Sequence, residues 1–117
     1  MEPAATLYRI SLYMARKPKA GPASDPELLI LTSLASGAKH GYAIMVDVEA
    51  FAGVTIGAGT LYTAITRLVE RKLIAPLAMQ GRQRPYRITA QGTAALREQL
   101  TAMRSMVTAG LSRLETA

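Results

Sequence analysis

Five stretches of helical spacing, a single change to strand-like alternation after the fourth, and a heptad in the last predict a mainly α fold carrying a two-stranded β-wing. At 117 residues the chain has one domain's worth of core, and half its residues are apolar. Its charge is concentrated where the alternation lies. Between Arg67 and Arg87 there are six basic residues and one acid, Glu70, so this segment carries +5 of a whole-chain +6. Such a concentration points to a polyanion, either nucleic acid or an anionic membrane surface. A second basic cluster, Arg16, Lys17 and Lys19, stands apart from it.

Each element can be justified in turn. Leu7, Ile10, Ser11 and Met14, with Tyr8 and Leu12 on a neighbouring stripe, predict a short helix over residues 4–16. The linker from Lys17 to Ala23 cannot continue it, because two prolines and a glycine fall within seven residues. Ser24, Asp25, Pro26 and Glu27 combine cap residues, a proline suited to a first turn and a glutamate three after the serine. A second helix is therefore expected through Leu28–Ser36, stopping at Gly37. Gly41 opens a third, with Ile44, Met45, Val48 and Phe51 or Ala52 as its apolar stripe. The glycine-rich Gly53–Gly59 reads as a turn. Thr60–Lys72 is expected to form the fourth helix, with Leu61, Ile65 and Leu68 facing the core.

Leu73–Met79 and Pro85–Thr89 then read as strands joined by a basic tip, Gln80-Gly81-Arg82-Gln83-Arg84. Thr89 can cap a last helix over about Ala90–Leu114. There Leu96, Leu100, Met103, Val107, Gly110 and Leu114 form a heptad seam, interrupted only by the glycine. Three compact helices followed by a two-stranded wing is the winged helix-turn-helix arrangement. Its third core helix lies in the DNA major groove, and its wing touches phosphate or the minor groove. Pattern and charge together favour nucleic acid over membrane, because a membrane-binding helix lines its basic residues along one amphipathic face. The expected organisation is a helix and linker at 1–24, a winged-helix DNA-binding unit at 25–89 and a long C-terminal dimerisation helix at 90–117.

Several classes are excluded. No apolar run approaches the roughly 20 residues that span a bilayer. In the stretch Ala4–Ala15 the basic residues mostly follow the apolar ones, the wrong order for a signal peptide. Without cysteine there is no disulfide framework, and one histidine builds no typical zinc site. No metal or cofactor is expected, and a cytoplasmic setting fits. The acids Asp47, Glu49 and Glu70 show no pairing for acid–base work, and Gly53–Gly59 lacks the lysine and spacing of a phosphate loop. An enzyme is not expected.

His40-Gly41-Tyr42-Ala43-Ile44, then Gly59-Thr60-Leu61-Tyr62 with Arg67-Leu68 and Leu73-Ile74, then Arg84-Pro85-Tyr86-Arg87-Ile88-Thr89 with Gly92, resemble the signature of PadR-type transcriptional regulators. The likeness covers roughly residues 28–96 and has three motifs in the right order and spacing. It implies a winged-helix repressor that dimerises through its C-terminal helix and leaves DNA when a small effector, often aromatic and apolar, binds at the dimer. The chain departs from the pattern at three places. Thr63 stands where the family commonly has proline, Val69 where glutamate is frequent, and Lys72 where a glycine suits a left-handed helix cap.

The candidate DNA-binding residues are Lys39, His40, Tyr42, Thr60, Tyr62, Thr63, Arg67, Arg82 and Arg84. Tyr62 lies about 100° from the inward stripe of its helix, where it reaches a phosphate or base edge or else closes the core. Thr60 and Thr63 sit near a helix N-terminus, in reach of backbone or thymine methyls, with Thr60 as cap the alternative. Arg82 and Arg84 flank the wing tip as backbone or minor-groove contacts. Arg67 is either a phosphate contact or the partner of Asp47 or Glu49 in a buried ion pair. His40 is read as a helix-start residue near DNA, and Tyr42 as a contact or a core aromatic. The seam residues predict a homodimer, and so a palindromic operator in double-stranded DNA. Met103 and Met106 offer an adaptable lining for an aromatic effector, or else are ordinary core methionines, with Tyr8 and Leu12 as alternative occupants of that space. Three function classes stay open: an effector-released repressor, a DNA-binding protein without a ligand, and a winged-helix interaction module without DNA binding.

Overall fold

Asp25 caps the first helix of a computed structural model that describes residues 25–116. The helix expected over 4–16 lies outside the described residues. The Asp25 carboxylate accepts from the Leu28 amide at 3.2 Å, and Pro26 occupies the first turn. Helix α1, Pro26–Leu34, thus starts and stops two residues before its expected bounds, and Ser36 and Gly37 lie in the turn beyond it. Glu27 does not close a capping box. Its carboxylate instead accepts from the Arg71 guanidinium at 2.7 Å, across the fold. Leu28, Leu29, Ile30, Leu31 and Leu34 are all buried, so α1 is apolar on most sides and forms the centre of the core.

Strand β1, Lys39–His40, leads directly into α2, Gly41–Ala52. His40 caps α2, its Nδ1 accepting from the Ala43 amide at 3.4 Å, and Gly53 ends it in the left-handed region at φ 67°. Ile44 and Val48 are buried. Ala52 continues that stripe against the core, whereas Phe51 is exposed. Helix α3, Ala58–Glu70, begins two residues ahead of its expected start, with Gly57 as a cap that makes no side-chain bond. Thr60 is therefore inside the helix and does not cap it. Leu61, Ile65 and Leu68 point inward as the spacing requires, joined by Ala64.

The two-stranded wing forms as expected, and a short third strand extends its sheet. Strands β2, Ile74–Pro76, and β3, Pro85–Ile88, pair antiparallel, and β1 adds to the other side of β3 in the order β1-β3-β2. Lys39 lies opposite Tyr86 and His40 opposite Pro85. A two-residue strand has no period to read, so the sequence does not announce β1. The tip is closed by reciprocal backbone bonds between Gln80 and Gln83 at 2.8 and 3.0 Å, with Gly81 at φ 63° supplying the turn.

Helix α4, Ala90–Thr116, spans 27 residues, a length of about 40 Å. The Thr89 hydroxyl accepts from the Gly92 amide at 2.9 Å and donates to the Lys72 carbonyl at 2.7 Å, tying the start of α4 to the end of α3. Gly92 and Leu96 are buried and Met103 packs against the core. Beyond Met103 every described residue of α4 is exposed, and the long axis of the protein reaches 62 Å. No helix among the described residues is long and apolar enough to cross a membrane.

Candidate nucleic-acid interface

The candidate interface is built on the outer side of α3. With Leu61, Ala64, Ile65 and Leu68 turned inward, a 100° step per residue puts Gly59, Thr63, Thr66 and Glu70 at the centre of the opposite face. Tyr62 lies on one flank of this face, and Thr60 and Arg67 on the other. All seven of these residues are exposed. The central ridge is polar, and its one charge is Glu70 at the C-terminal end.

Each flank opens into a cleft. On the Tyr62 side a cleft of about 300 Å³ is lined by His40, Gly41, Tyr42, Tyr62, Arg82, Gln83 and Arg84. Five of the candidate residues, drawn from three separate sequence segments, meet there. On the other side Thr60, Thr63, Ala64 and Arg67 face Pro26 and Glu27 at the start of α1, across a cleft of about 430 Å³. The outward face of α3 is thus bordered by the wing on one side and by the entry of α1 on the other.

The individual placements resolve several alternatives. Tyr62 is 50% exposed and its hydroxyl touches Gly41, so it does not close the core. Tyr42 is exposed as well, at 68%. Arg67 forms no ion pair with Asp47 or Glu49 among the described residues, because Asp47 accepts from the buried Ser33 hydroxyl at 2.7 Å and lies 3.9 Å from Lys39 Nζ. Lys39 turns inward: its ammonium donates to the Ser33 carbonyl, to Ser36 Oγ at 2.8 Å and to the Gly37 carbonyl. It holds β1 to the end of α1 and does not face the clefts. Arg84 donates to the Leu77 carbonyl at 2.7 Å, bracing the wing, whereas Arg82 makes no such bond among the described residues.

The sequence reading missed two members. Thr66, whose hydroxyl donates to the Tyr62 carbonyl at 2.9 Å, lies one turn beyond Thr63 on the outward ridge, and helical spacing alone could have found it. Gln83 lines the wing cleft between the two arginines. The methionines are not brought together in a pocket. Met103 is half-buried against the core and Met106 is 74% exposed. A separate cleft of about 360 Å³ runs along α4, where Ala35, Ile88, Leu96 and Leu100 are rimmed by Arg97 and Arg104.

The family model for the transcriptional regulator PadR-like family matches residues 30–98, more than half of the chain. The chain belongs to that family. A PadR family transcriptional regulator from Eggerthella lenta is similar over 94% of this chain and 96% of its own, at 27% identity and a TM-score of 0.66. PadR of Bacillus subtilis, solved in complex with operator DNA, shares the fold over 63% of this chain and 45% of its own, at 22% identity and a TM-score of 0.57. An uncharacterized 37.1 kDa protein in transposon TN4556 of Streptomyces fradiae is 40% identical over 80 residues, which are 68% of this chain. The chain spans 23% of that relative's length. Against the PadR pattern, Thr63 takes its place at the centre of the outward ridge of α3. Lys72 occupies the left-handed position that suits glycine, at φ 62°.

Proposed function

We propose that this chain binds double-stranded DNA as a homodimer and regulates transcription from a palindromic operator. One observation carries this reading. The outward ridge of α3 is polar and uncharged through Gly59, Thr63 and Thr66, and arginines border it on both sides, Arg67 on one flank and Arg82 with Arg84 on the other. Polar groups on a helix are suited to base edges in a major groove, and flanking arginines to the phosphates that run beside it. Support for the dimer comes from α4, where Leu100, Val107, Leu111 and Leu114 are exposed on one stripe that a second copy would bury. The two copies would then present two α3 helices to half-sites about one helical turn apart.

In this reading the protein acts in the cytoplasm as a repressor, and a small apolar or aromatic effector releases it. Support for an effector is the cleft beside α4, apolar along Ile88, Leu96 and Leu100 and cationic at Arg97 and Arg104, which suits an aromatic body with an anionic group. Met103 at the edge of the core, with Met106 on the neighbouring surface, offers an adaptable lining once a second α4 covers them. The test is selection of random duplexes on the purified protein at moderate salt, followed by anisotropy with the winning sequence. Recovery of a palindrome whose binding weakens steeply with salt is expected. Enrichment of no sequence, with no salt-dependent binding, would overturn the reading. Aromatic carboxylates added to the complex should release the DNA and raise the melting temperature of the free protein.

A further inference from the structure

The central ridge of α3 holds none of the side chains that grip a purine through two hydrogen bonds: no Arg, Lys, Asn or Gln stands at positions 59, 63, 66 or 70. Gly59 contributes no side chain, and Glu70 at the far end can only accept. Between them, Thr63 and Thr66 are what the ridge offers to a base edge, and the two are not equivalent. Thr66 Oγ1 donates to the Tyr62 carbonyl at 2.9 Å, one turn back along the helix. Its single donor proton is thus taken up by the backbone and its hydroxyl is held against the helix, yet the residue is exposed. The surface that Thr66 presents outward is then carried by its γ-methyl. The Thr63 hydroxyl makes no such bond among the described residues and keeps its donor.

We propose that Thr66 is a specificity residue that reads the C5-methyl group of a thymine through its own γ-methyl. This inference rests on the DNA-binding reading above and names the base that one position of α3 selects. Thymine alone among the four bases carries a methyl group in the major groove, and apolar contact is how a side chain without a free donor distinguishes it. Such a contact needs the two methyl carbons within roughly 4 Å of each other. A side chain as short as threonine reaches that distance only if the helix backbone comes close to the base pairs. Gly59 permits this approach, because the leading end of the ridge carries no bulk and the space where its β-carbon would stand is open. Thr63 lies about 4.5 Å from Thr66 along the helix axis, so it addresses a different base pair and the two contacts can be separated by experiment.

The test uses the full chain on the palindrome recovered by selection, with each thymine of a half-site replaced in turn by deoxyuridine, which lacks only the methyl group. At one position the wild type should lose about fourfold in affinity per half-site, the worth of one buried methyl. Thr66→Ser keeps the hydroxyl and its bond to the Tyr62 carbonyl, and should bind the parent and that deoxyuridine duplex equally. Thr66→Val keeps a methyl and gives up the hydroxyl, and should retain the wild-type difference. Neither variant touches a phosphate contact, so both should keep the wild-type slope of log affinity against log salt. Thr63→Ala should leave the deoxyuridine effect at that position intact. The inference is overturned if no thymine is sensitive, if Thr66→Ser keeps the wild-type difference, or if Thr66→Val loses it as well. A wild-type chain that binds no duplex at any salt, or binds all sequences alike, would instead remove the reading on which the inference rests, and the inference with it.

Discussion

The Tyr62 hydroxyl rests against the Cα of Gly41, so closely that a β-carbon at position 41 would lie 2.9 Å from the ring's Cζ. Helix α2 therefore begins with a residue lacking a side chain at the point where α3 leans on it. The contact fixes where the ring stands in the cleft beside Arg82 and Arg84. Because Tyr62 is half exposed, it can swing away from an added methyl without opening the core. Gly41→Ala should therefore leave the melting temperature within a few degrees, yet weaken operator binding as much as Tyr62→Ala does. Anisotropy and thermal melting on the same preparations check both halves. Wild-type affinity in Gly41→Ala would mean the ring's placement is irrelevant to DNA.

Gly92 offers the opposite case. A β-carbon there would press on the Leu73 carbonyl and lie 2.8 Å from Ile88 Cγ1, and neither backbone nor a packed strand residue can move aside. Gly92→Ala should cost about 3 kcal/mol by overpacking the junction of α4 with the wing. Gly110 has nothing within 4 Å, so Gly110→Ala should instead add about 0.5–1 kcal/mol to an exposed helix. Urea unfolding of the two variants should move the midpoints in opposite directions. A destabilised Gly110→Ala would place position 110 at a close approach of two helices.

Lys72 holds a conformation that glycine adopts freely, at φ 62°. Its carbonyl accepts from the Thr89 hydroxyl, which in turn caps α4, so the geometry is held from outside. The left-handed region costs an L residue roughly 1–2 kcal/mol, and the greater chain entropy of glycine in the unfolded state offsets part of what its substitution would recover. Lys72→Gly should thus gain about 0.5–1 kcal/mol. Denaturation of that variant at or below wild-type stability would show that the turn carries no strain.

The exposed stripe on α4 bears on assembly. Leu111, absent from the strict heptad, lies within about 60° of Leu96 around the helix axis and joins Leu100, Val107 and Leu114 on the uncovered face. Since Leu111 lies outside the core of one protomer and is exposed there, Leu111→Asp should produce folded monomers and not an unfolded chain. Each apolar side chain that a partner covers is worth about 1.5–3 kcal/mol. Sedimentation of an intact dimer from this variant would exclude the stripe as the contact.

Long apolar periods made most of the fold legible. Leu61, Ile65 and Leu68 fixed the inward face of α3, and from that face the exposed positions of Tyr62 and Thr63 follow. Cap chemistry located Thr89, and at the first helix it marked the Ser24–Glu27 stretch in which Asp25 proves to be the cap. What escaped has physical reasons. Strand β1 is two residues long and exists through its partner β3, so no local pattern announces it. Lys39 carries a charge that looks free in sequence, and only the folded chain reveals the carbonyls of Ser33 and Gly37 gathered around it. Arg67 has Asp47 and Glu49 as nearby acids in sequence terms, but Asp47 is claimed by Ser33 and Lys39. Contacts of that kind depend on tertiary neighbours that spacing does not encode.

The two wing arginines differ in a way that can be measured. Arg84 spends part of its donor capacity on the Leu77 carbonyl, within the stretch that leads from β2 to the tip. Arg82 stands at the turn beside Gly81 and makes no ion pair among the described residues. Removing Arg82 should therefore act on DNA alone. Arg82→Ala is expected to leave stability unchanged and flatten the salt slope by about 0.9 per protomer, uniformly across duplexes. Arg84→Ala should flatten the slope by a similar amount and also loosen the wing, adding a stability loss of about 1 kcal/mol from the broken bond. Together the two changes should flatten the slope by roughly 3 to 4 units per dimer. Thr63→Ala, on the outward ridge of α3, should keep the slope and alter only which operator is preferred. A double arginine variant that kept its slope while losing sequence preference would invert these assignments, placing base recognition on the wing and backbone contact on α3.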